Sequence, residues 1–184
     1  MNAEKAKAFS ATLNCLLKEN PTLLALYFIV SIVLALIDQL TKLAVLQNME
    51  LYQDIPLWKN VFHIHFIPNT GAAWGILKGQ FGLFFIITVV VVLGVTVYLI
   101  KNRPKSRCLT LSMAFLVGGA LGNFIDRLFR GYVIDFLDFT LINFPVFNFA
   151  DCCVVCGACL LAFYILFLDK KPKEKDEAND GPHE

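Results

Sequence analysis

The chain has 184 residues, of which 57% are hydrophobic and only 17% charged. Ordinary soluble domains carry about 25% charged residues, so this composition excludes that class of protein. The formal net charge of +1 gives no indication of a nucleic-acid partner, and none is expected.

Four long apolar windows account for the excess of hydrophobic residues. They cover residues 22–37, 81–100, 108–125 and 152–168, and residues 43–46 lengthen the first. About 20 residues span a typical bilayer core, so the sequence predicts four transmembrane helices. The predicted fold is an all-α membrane protein with one four-helix domain over residues 21–169. Residues 1–20 are expected to be a cytoplasmic lead-in, and residues 170–184 a charged, disordered cytoplasmic tail.

The basic residues predict how the chain is oriented. The link at 101–107 contains Lys101, Arg103, Lys105 and Arg107 and no acid, while residues 1–20 contain three lysines and the tail four. Cytoplasmic segments of membrane proteins carry an excess of Lys and Arg. Both termini and the 101–107 link are therefore predicted to be cytoplasmic, with the other two links outside.

The first outer link favours a small β element. Residues 61–67 are rich in strand formers, and Pro68-Asn69 follows as a turn signal, so a short hairpin on the outer membrane surface is expected. His63 and His65 would share one face of the strand, and two histidines without a third ligand are interpreted as surface or packing residues. The cysteines of the last window are interpreted as small packing residues. No metal and no cofactor is expected.

Polar residues from separate segments are predicted to meet at one depth near the outer leaflet. Ionisable groups at membrane depth are costly and usually face a protein interior where they have a function. Asp38 and Lys42, spaced i and i+4, can form a pair, although that pair alone also fits the simple role of fixing a helix end. The other contributors are Asn69, Asn123, Asp126, Arg127 and Asp151.

Two aspartates in this set fit acid–base chemistry. An ionised carboxylate can take a proton from water while a protonated one polarises a peptide carbonyl. Asp135 lies in an extended link with no local helix to serve, and Asp151 begins a helix, where Asn148-x-x-Asp151 also fits a capping role. Asp126, beside Arg127, is interpreted as a charged structural partner, and Asp138 as a surface acid. The pair is therefore predicted to be Asp135 and Asp151.

Five motifs carry a resemblance to a known family. Together they resemble the lipoprotein signal peptidase (signal peptidase II) family in order and in the four-span arrangement: DQLTK at 38–42, NTGAAWG at 69–75, GGALGNFIDR at 118–127, VIDF at 133–136 and FNFAD at 147–151. One small departure is Trp74, where an aromatic Phe is more usual in that family.

The resemblance implies a bacterial inner-membrane aspartic endopeptidase with its site on the outer-leaflet side. Such an enzyme removes the signal peptide from diacylglyceryl-modified prolipoproteins just before the lipidated cysteine. Its partners would be these substrates, membrane lipid and globomycin-type inhibitors. By motif, Asp135 and Asp151 match the catalytic pair. The residues that would shape the site and hold the substrate are Asp38, Lys42, Asn69, Gly71, Asn123, Asp126, Arg127 and Asn148.

Two other classes of function are weighed against a peptidase. A small transporter or channel subunit using an intramembrane Asp/Asn/Arg site would need a polar path that reaches both membrane faces. The cytoplasmic halves of the four windows are almost wholly apolar, which argues against such a path. A purely structural scaffold would leave Asp135 unexplained.

Overall fold

The computed structural model describes residues 21–71 and 79–169. Its long helices are α1 (Pro21–Asn48), α2 (Phe81–Asn102), α3 (Arg107–Arg130) and α4 (Phe149–Phe163), the last continuing as a π-helical segment at Tyr164–Leu168. All four are long and apolar enough to cross a membrane, so the four predicted spans are confirmed. The predicted lead-in and tail lie outside the described residues. The sidedness of the termini stays a prediction.

Helix α3 is the central element, because it packs against the three other long helices. Small residues permit the close approach. A Cβ atom added at Gly122 would lie 2.5 Å from Asp38 Oδ2 of α1, and one added at Gly157 of α4 would lie 2.8 Å from the Leu116 backbone nitrogen. Larger residues at these positions would force the helices apart.

Helix α1 turns one polar stripe toward the protein. Its buried residues recur every three or four positions and include Ser31, Asp38 and Lys42, while large apolar residues such as Leu40 are exposed on the opposite side. At 1.5 Å per residue, Asp38 lies about 26 Å from the start of the helix. The charged part of the stripe is therefore confined to one end of the span.

A three-stranded antiparallel sheet covers that end of the helices. Its strands are β1 (Asp54–Trp58), β2 (Phe62–Asn69) and β3 (Val133–Asp138), in the order β1-β2-β3. The predicted hairpin is confirmed as β1 and β2. Pro68 and Asn69, expected as a turn, instead lie in β2, where they pair with Ile134 and Val133 of β3, a strand expected only as an extended link. Phe66, Ile134 and Phe136 pack with Val45 of α1 into one buried apolar cluster. This cluster fixes the sheet against the helices.

Two turns place the candidate aspartates. Gly131 ends α3 in the left-handed conformation (φ 77°), which glycine adopts at little cost, and β3 begins two residues later. After β3 and a short 3-10 turn at Thr140–Ile142, Asn148 caps the first turn of α4. Asp135 and Asp151 thus follow two separate chain reversals at the same end of the bundle.

Candidate active site

Asp135 and Asp151 are held by amide side chains that link them to each other. Asp135 accepts hydrogen bonds from Asn69 Nδ2 at 2.8 Å and from Asn148 Nδ2 at 2.6 Å. Asp151 accepts one from Asn123 Nδ2 at 2.8 Å and one from the Asn148 backbone N–H at 3.1 Å. Asn148 therefore contacts both carboxyl groups, and donors of fixed geometry orient each of them.

Asn148 also has the capping role that the sequence left open. Its Oδ1 accepts the Asp151 backbone N–H at 3.0 Å, and with the Asp151 carboxylate it forms a capping box at the start of α4. Its Nδ2 meanwhile reaches Asn123 Oδ1 at 3.0 Å. Capping and site assembly are thus two roles of the same side chains rather than alternatives.

The electrostatic setting of Asp135 is unusual for a carboxylic acid. Burial and, to a lesser degree, the negative charge of Asp151 raise the pKa of Asp135 to about 7, against the opposing effect of the Asn69 and Asn148 amide donors. A carboxyl group with such a pKa still holds a proton near neutral pH. The site therefore has a carboxyl group able to act as a proton donor in that range.

A charged network lies directly behind the pair. Lys42 Nζ lies 2.8 Å from Asp38 Oδ2 and 2.9 Å from Asp126 Oδ2, and all three side chains are fully buried. Lys42 also donates to Asn123 Oδ1 at 2.9 Å. The predicted Asp38–Lys42 pair is confirmed, and Asp126 joins it from α3. Because Asn123 in turn holds Asp151, the network is connected to the site.

The two carboxylates of this network also hold backbone groups next to the site. Asp38 Oδ1 accepts the backbone N–H of Ala150 at 2.9 Å, and Asp126 Oδ2 accepts that of Ile134 at 3.1 Å. Ala150 immediately precedes Asp151, and Ile134 immediately precedes Asp135. Each buried carboxylate thereby fixes the main chain that carries one member of the candidate pair.

Arg127 faces the site with a different set of partners from those that the sequence suggested. Its Nη2 donates to the Gly71 carbonyl at 3.0 Å and its Nη1 to the Asn123 carbonyl at 3.4 Å. The guanidinium lies over the Phe84 ring of α2, 4.3 Å from its centroid. Gly71 is also held by Asn69 Oδ1, at 2.8 Å from its backbone nitrogen. The remainder of the NTGAAWG motif, residues 72–75, lies outside the described residues.

A cavity of about 540 Å³ opens in front of the two carboxyl groups. Its walls are mainly apolar residues of α2, α4 and the loop before α4, with a few polar residues from β2, β3, α3 and α4. The lining residues include Asp135, Asp151, Asn123, Arg127, Phe84, Ile87, Val154 and Val155. A cavity with apolar walls and a few convergent polar groups is the usual form of a ligand site.

Two sequence-based interpretations are wrong in detail. Asp126 is a charged structural partner, but of Lys42 and Arg130 rather than of its neighbour Arg127. Asp138 is not a freely exposed surface acid, because it lies 3.2 Å from His65 Nδ1 and only 14% of its side chain is exposed. In both cases the fold supplies a partner from another element, Lys42 of α1 for Asp126 and His65 of β2 for Asp138.

Sequence reasoning missed three residues that support the site. Gln39 donates from Nε2 to Asp126 Oδ1 at 3.2 Å, and Arg130 forms an ion pair with the same oxygen. Phe84 supports the Arg127 guanidinium. The i, i+4 spacing of Asp126 and Arg130 was the available signal for one of them. Among the described residues, no group of three or more His, Cys, Asp or Glu side chains could hold a metal ion.

The fold and the site together define a multi-pass membrane protein in which two carboxyl groups from different elements face one cavity. Comparison with known proteins makes the assignment specific. The chain belongs to the signal peptidase (SPase) II family, whose model matches residues 30–167.

Individual relatives agree with that assignment. The chain is 41% identical over 161 residues to a lipoprotein signal peptidase of Anoxybacillus flavithermus, covering 86% of this chain and 96% of the relative. It is 42% identical over 154 residues to that of Bacillus subtilis, covering 83% and 99%. A bacterial membrane enzyme solved by the in meso method at 2.3 Å matches with a TM-score of 0.74 and 31% identity, covering 82% of this chain and 95% of that chain.

Family membership has direct consequences for function. The chain has signal peptidase II function, so it is a peptidase and a hydrolase, and the four candidate spans make it a bacterial multi-pass membrane protein. The resemblance seen in the five motifs is confirmed, and the transporter or channel alternative finds no support.

Proposed function

We propose that the chain is an aspartic endopeptidase in which Asp135 and Asp151 perform the hydrolysis. Its substrates would be diacylglyceryl-modified prolipoproteins, cut just before the lipidated cysteine. The single observation that supports this best is that both carboxyl groups line one cavity and are linked through Asn148. The named activity of the relatives, lipoprotein signal peptidase, agrees with this substrate class.

The two carboxyl groups differ in the way that such chemistry requires. Asp151 sits in the first turn of α4, where the helix dipole favours a negative charge, and it accepts hydrogen bonds from two N–H donors. Asp135 is buried and has a pKa raised to about 7. We assign Asp151 as the base and Asp135 as the acid of the first step.

The reaction then proceeds in two proton-balanced steps. Asp151 takes a proton from a water molecule, whose oxygen bonds to the scissile carbonyl carbon, while Asp135 gives its proton to the carbonyl oxygen. The resulting gem-diol collapses: the C–N bond breaks, Asp151 gives its proton to the leaving amine, and a diol hydroxyl returns a proton to Asp135. The products are a free carboxyl group on the signal peptide and a free amine on the cysteine.

The polar residues around the pair would hold the substrate backbone in one orientation relative to the two carboxyl groups. Arg127 and Asn123 both line the cavity, where they can meet the peptide groups flanking the cleaved bond. Gly71 is already held through both of its backbone groups, by Arg127 and Asn69. Asp38, Lys42 and Asp126 would act indirectly, through the backbone next to each catalytic residue.

The cavity walls suggest how a membrane-bound substrate reaches the site. Ile87 of α2 and Val154 and Val155 of α4 all line the cavity. A signal helix could enter between these two spans from the bilayer, with its diacylglyceryl chains remaining in lipid. The basic 101–107 link lies at the opposite ends of α2 and α3 from the site, so by the positive-inside rule the site belongs to the outer leaflet of the inner membrane.

Three further expectations belong to this proposal. Globomycin-type cyclic peptides should compete with the substrate for the cavity. Membrane lipid should line the outer surfaces of the spans, where exposed side chains are largely apolar. Residues 21–169 should be sufficient for hydrolysis, so a variant ending at residue 169 should retain the activity of the full chain.

The decisive experiment compares three isosteric variants of the purified protein. We expect Asp135→Asn and Asp151→Asn to abolish cleavage of a diacylglyceryl-modified prolipoprotein. Asp138→Asn, on the same strand β3 as Asp135 but outside the cavity lining, should retain activity. A metal chelator should leave the reaction unchanged. Full activity in either of the first two variants would remove that residue from the pair.

A further inference from the structure

Arg130, the last residue of α3, has no role in the chemistry proposed above. Its guanidinium Nη1 forms an ion pair with Asp126 Oδ1 and donates a hydrogen bond to Gln39 Oε1 at 3.2 Å. We propose that Arg130 is a positioning residue: by neutralising Asp126 it fixes the strand that presents Asp135 to the cavity. This inference rests on the proposed function of Asp135.

The charge balance of the buried network requires a second cation. Asp38, Lys42 and Asp126 are each fully buried, and as ionised groups they sum to one negative charge. The ion pair with Arg130 brings the sum to zero. An uncompensated charge in a protein interior is strongly destabilising, so Arg130 stabilises the network by neutralising its remaining negative charge.

Arg130 also fixes the orientation of the Asp126 carboxylate. Oδ1 receives Arg130 and the Nε2 donor of Gln39, whereas Oδ2 receives Lys42 and the backbone N–H of Ile134. Gln39 binds Asp126 and Arg130 through opposite ends of its amide. With Oδ1 so occupied, Oδ2 stays directed at strand β3.

A change at Ile134 is transmitted directly to Asp135. The Ile134 N–H belongs to the peptide unit that joins Val133 to Ile134, one residue before Asp135, so loss of its bond to Asp126 would let the start of β3 shift. Displacements of about 1 Å at a catalytic group can cost about a hundredfold in rate. Arg130 would therefore act on the rate of the chemical step and not on substrate affinity.

Removal of the Arg130 charge also has an electrostatic consequence. The charged groups around Asp126 are Asp38 and Lys42 on α1, Arg127 and Arg130 on α3, Asp135 on β3 and Asp151 on α4. Loss of one positive charge from this set would raise the pKa of the Asp135 carboxyl group further. The pH optimum of cleavage should then move upward, which a simple loss of packing would not cause.

The test uses the full chain, purified, with a diacylglyceryl-modified prolipoprotein as substrate. For Arg130→Gln we expect kcat to fall about tenfold or more with KM within about twofold, and the pH optimum to rise. Arg130→Lys should restore the optimum and most of kcat, because the charge is kept. Arg107→Gln, the same substitution at the exposed opposite end of α3, should behave as the unmodified protein. An unchanged kcat in Arg130→Gln, or an equal loss at all pH values without rescue by Lys, would overturn the inference.

A further variant keeps the inference testable if Arg130→Gln does not fold. The imidazole of Arg130→His has an ordinary pKa near 6.5, which the neighbouring Asp126 raises, so its kcat relative to the unmodified protein should fall between about pH 6 and pH 9. A constant ratio over that range would overturn the inference. Asp135→Asn is measured in parallel. If Asp135→Asn remains active, both the proposed function and the positioning role of Arg130 fail. If Asp135→Asn is inactive while Arg130→Gln is unaffected, only the positioning role is refuted.

Discussion

Replacement of Lys42 by Met tests whether the buried charged network holds the site together. The Lys42 ammonium lies within 2.9 Å of Asp38 Oδ2, Asp126 Oδ2 and Asn123 Oδ1, and its side chain is fully buried. Methionine keeps an unbranched apolar chain of similar length but removes all three contacts. Two buried carboxylates would then face each other without the cation between them.

The expected cost is large because breaking a buried ion pair leaves an unpaired charge behind. Loss of one partner of such a pair typically destabilises a protein by about 3–5 kcal/mol. Arg130 still contacts Asp126 and offsets part of the loss, so the lower limit of about 3 kcal/mol is the appropriate expectation. For a domain of this size, that corresponds to a decrease of roughly 6–12 °C in the unfolding midpoint.

The assay is thermal unfolding of the purified variants in one detergent. The double variant Lys42→Met/Asp38→Asn removes one negative charge together with the positive one, so it should be more stable than Lys42→Met alone. Lys101→Met, an exposed residue near the end of α2, serves as the control and should unfold near the temperature of the unmodified protein. If Lys42→Met unfolds within about 1 °C of the unmodified protein, the network does not hold the helices together.

Three further predictions follow from the same contacts. Asn148→Ala should lower kcat about a hundredfold, because Asp135 loses its Asn148 Nδ2 donor and the Asp151 backbone N–H loses its Asn148 Oδ1 cap. A fall of less than threefold in the cleavage assay would contradict the bridging role of Asn148. Gly122→Leu should lower the yield and the unfolding midpoint, since a Cβ there already meets Asp38 at 2.5 Å; an unchanged midpoint would contradict the close packing. The pKa of Asp135 rises from 3.8 to about 7 on folding, so the stability of the folded protein should fall as pH rises between those two values. Unfolding midpoints measured from pH 4 to pH 8 should show this fall, and Asp135→Asn should remove the part of it that Asp135 causes.

The spans and the location of the site were predictable because both follow from one-dimensional patterns. Apolar windows near the length of a bilayer give the helices, and polar residues at corresponding ends of those windows give the depth of the site. The i, i+4 spacing of Asp38 and Lys42 predicted their ion pair, which is confirmed at 2.8 Å. These inferences need no knowledge of how the helices are arranged around one another.

The partners that cross between elements were not predictable in the same way. Asp126 could be placed on a face of α3, but the choice between Arg127 and Arg130 depends on how α1 and β3 approach that face. Strand β3 was also missed, because its pairing with β2 joins residues some 64 to 75 positions apart in the chain. Long-range pairing of this kind leaves only a weak local signal in the sequence.

The central claim, that Asp135 holds a proton beside Asp151 near neutral pH, can be measured by difference infrared spectroscopy. The band of a protonated carboxyl group that is missing from Asp135→Asn should disappear with a midpoint near pH 7, since the pKa of Asp135 is raised to about 7. Asp151→Asn should move that midpoint to lower pH, because it removes the neighbouring negative charge. A midpoint near the ordinary value of 3.8, unaffected by Asp151→Asn, would contradict the account.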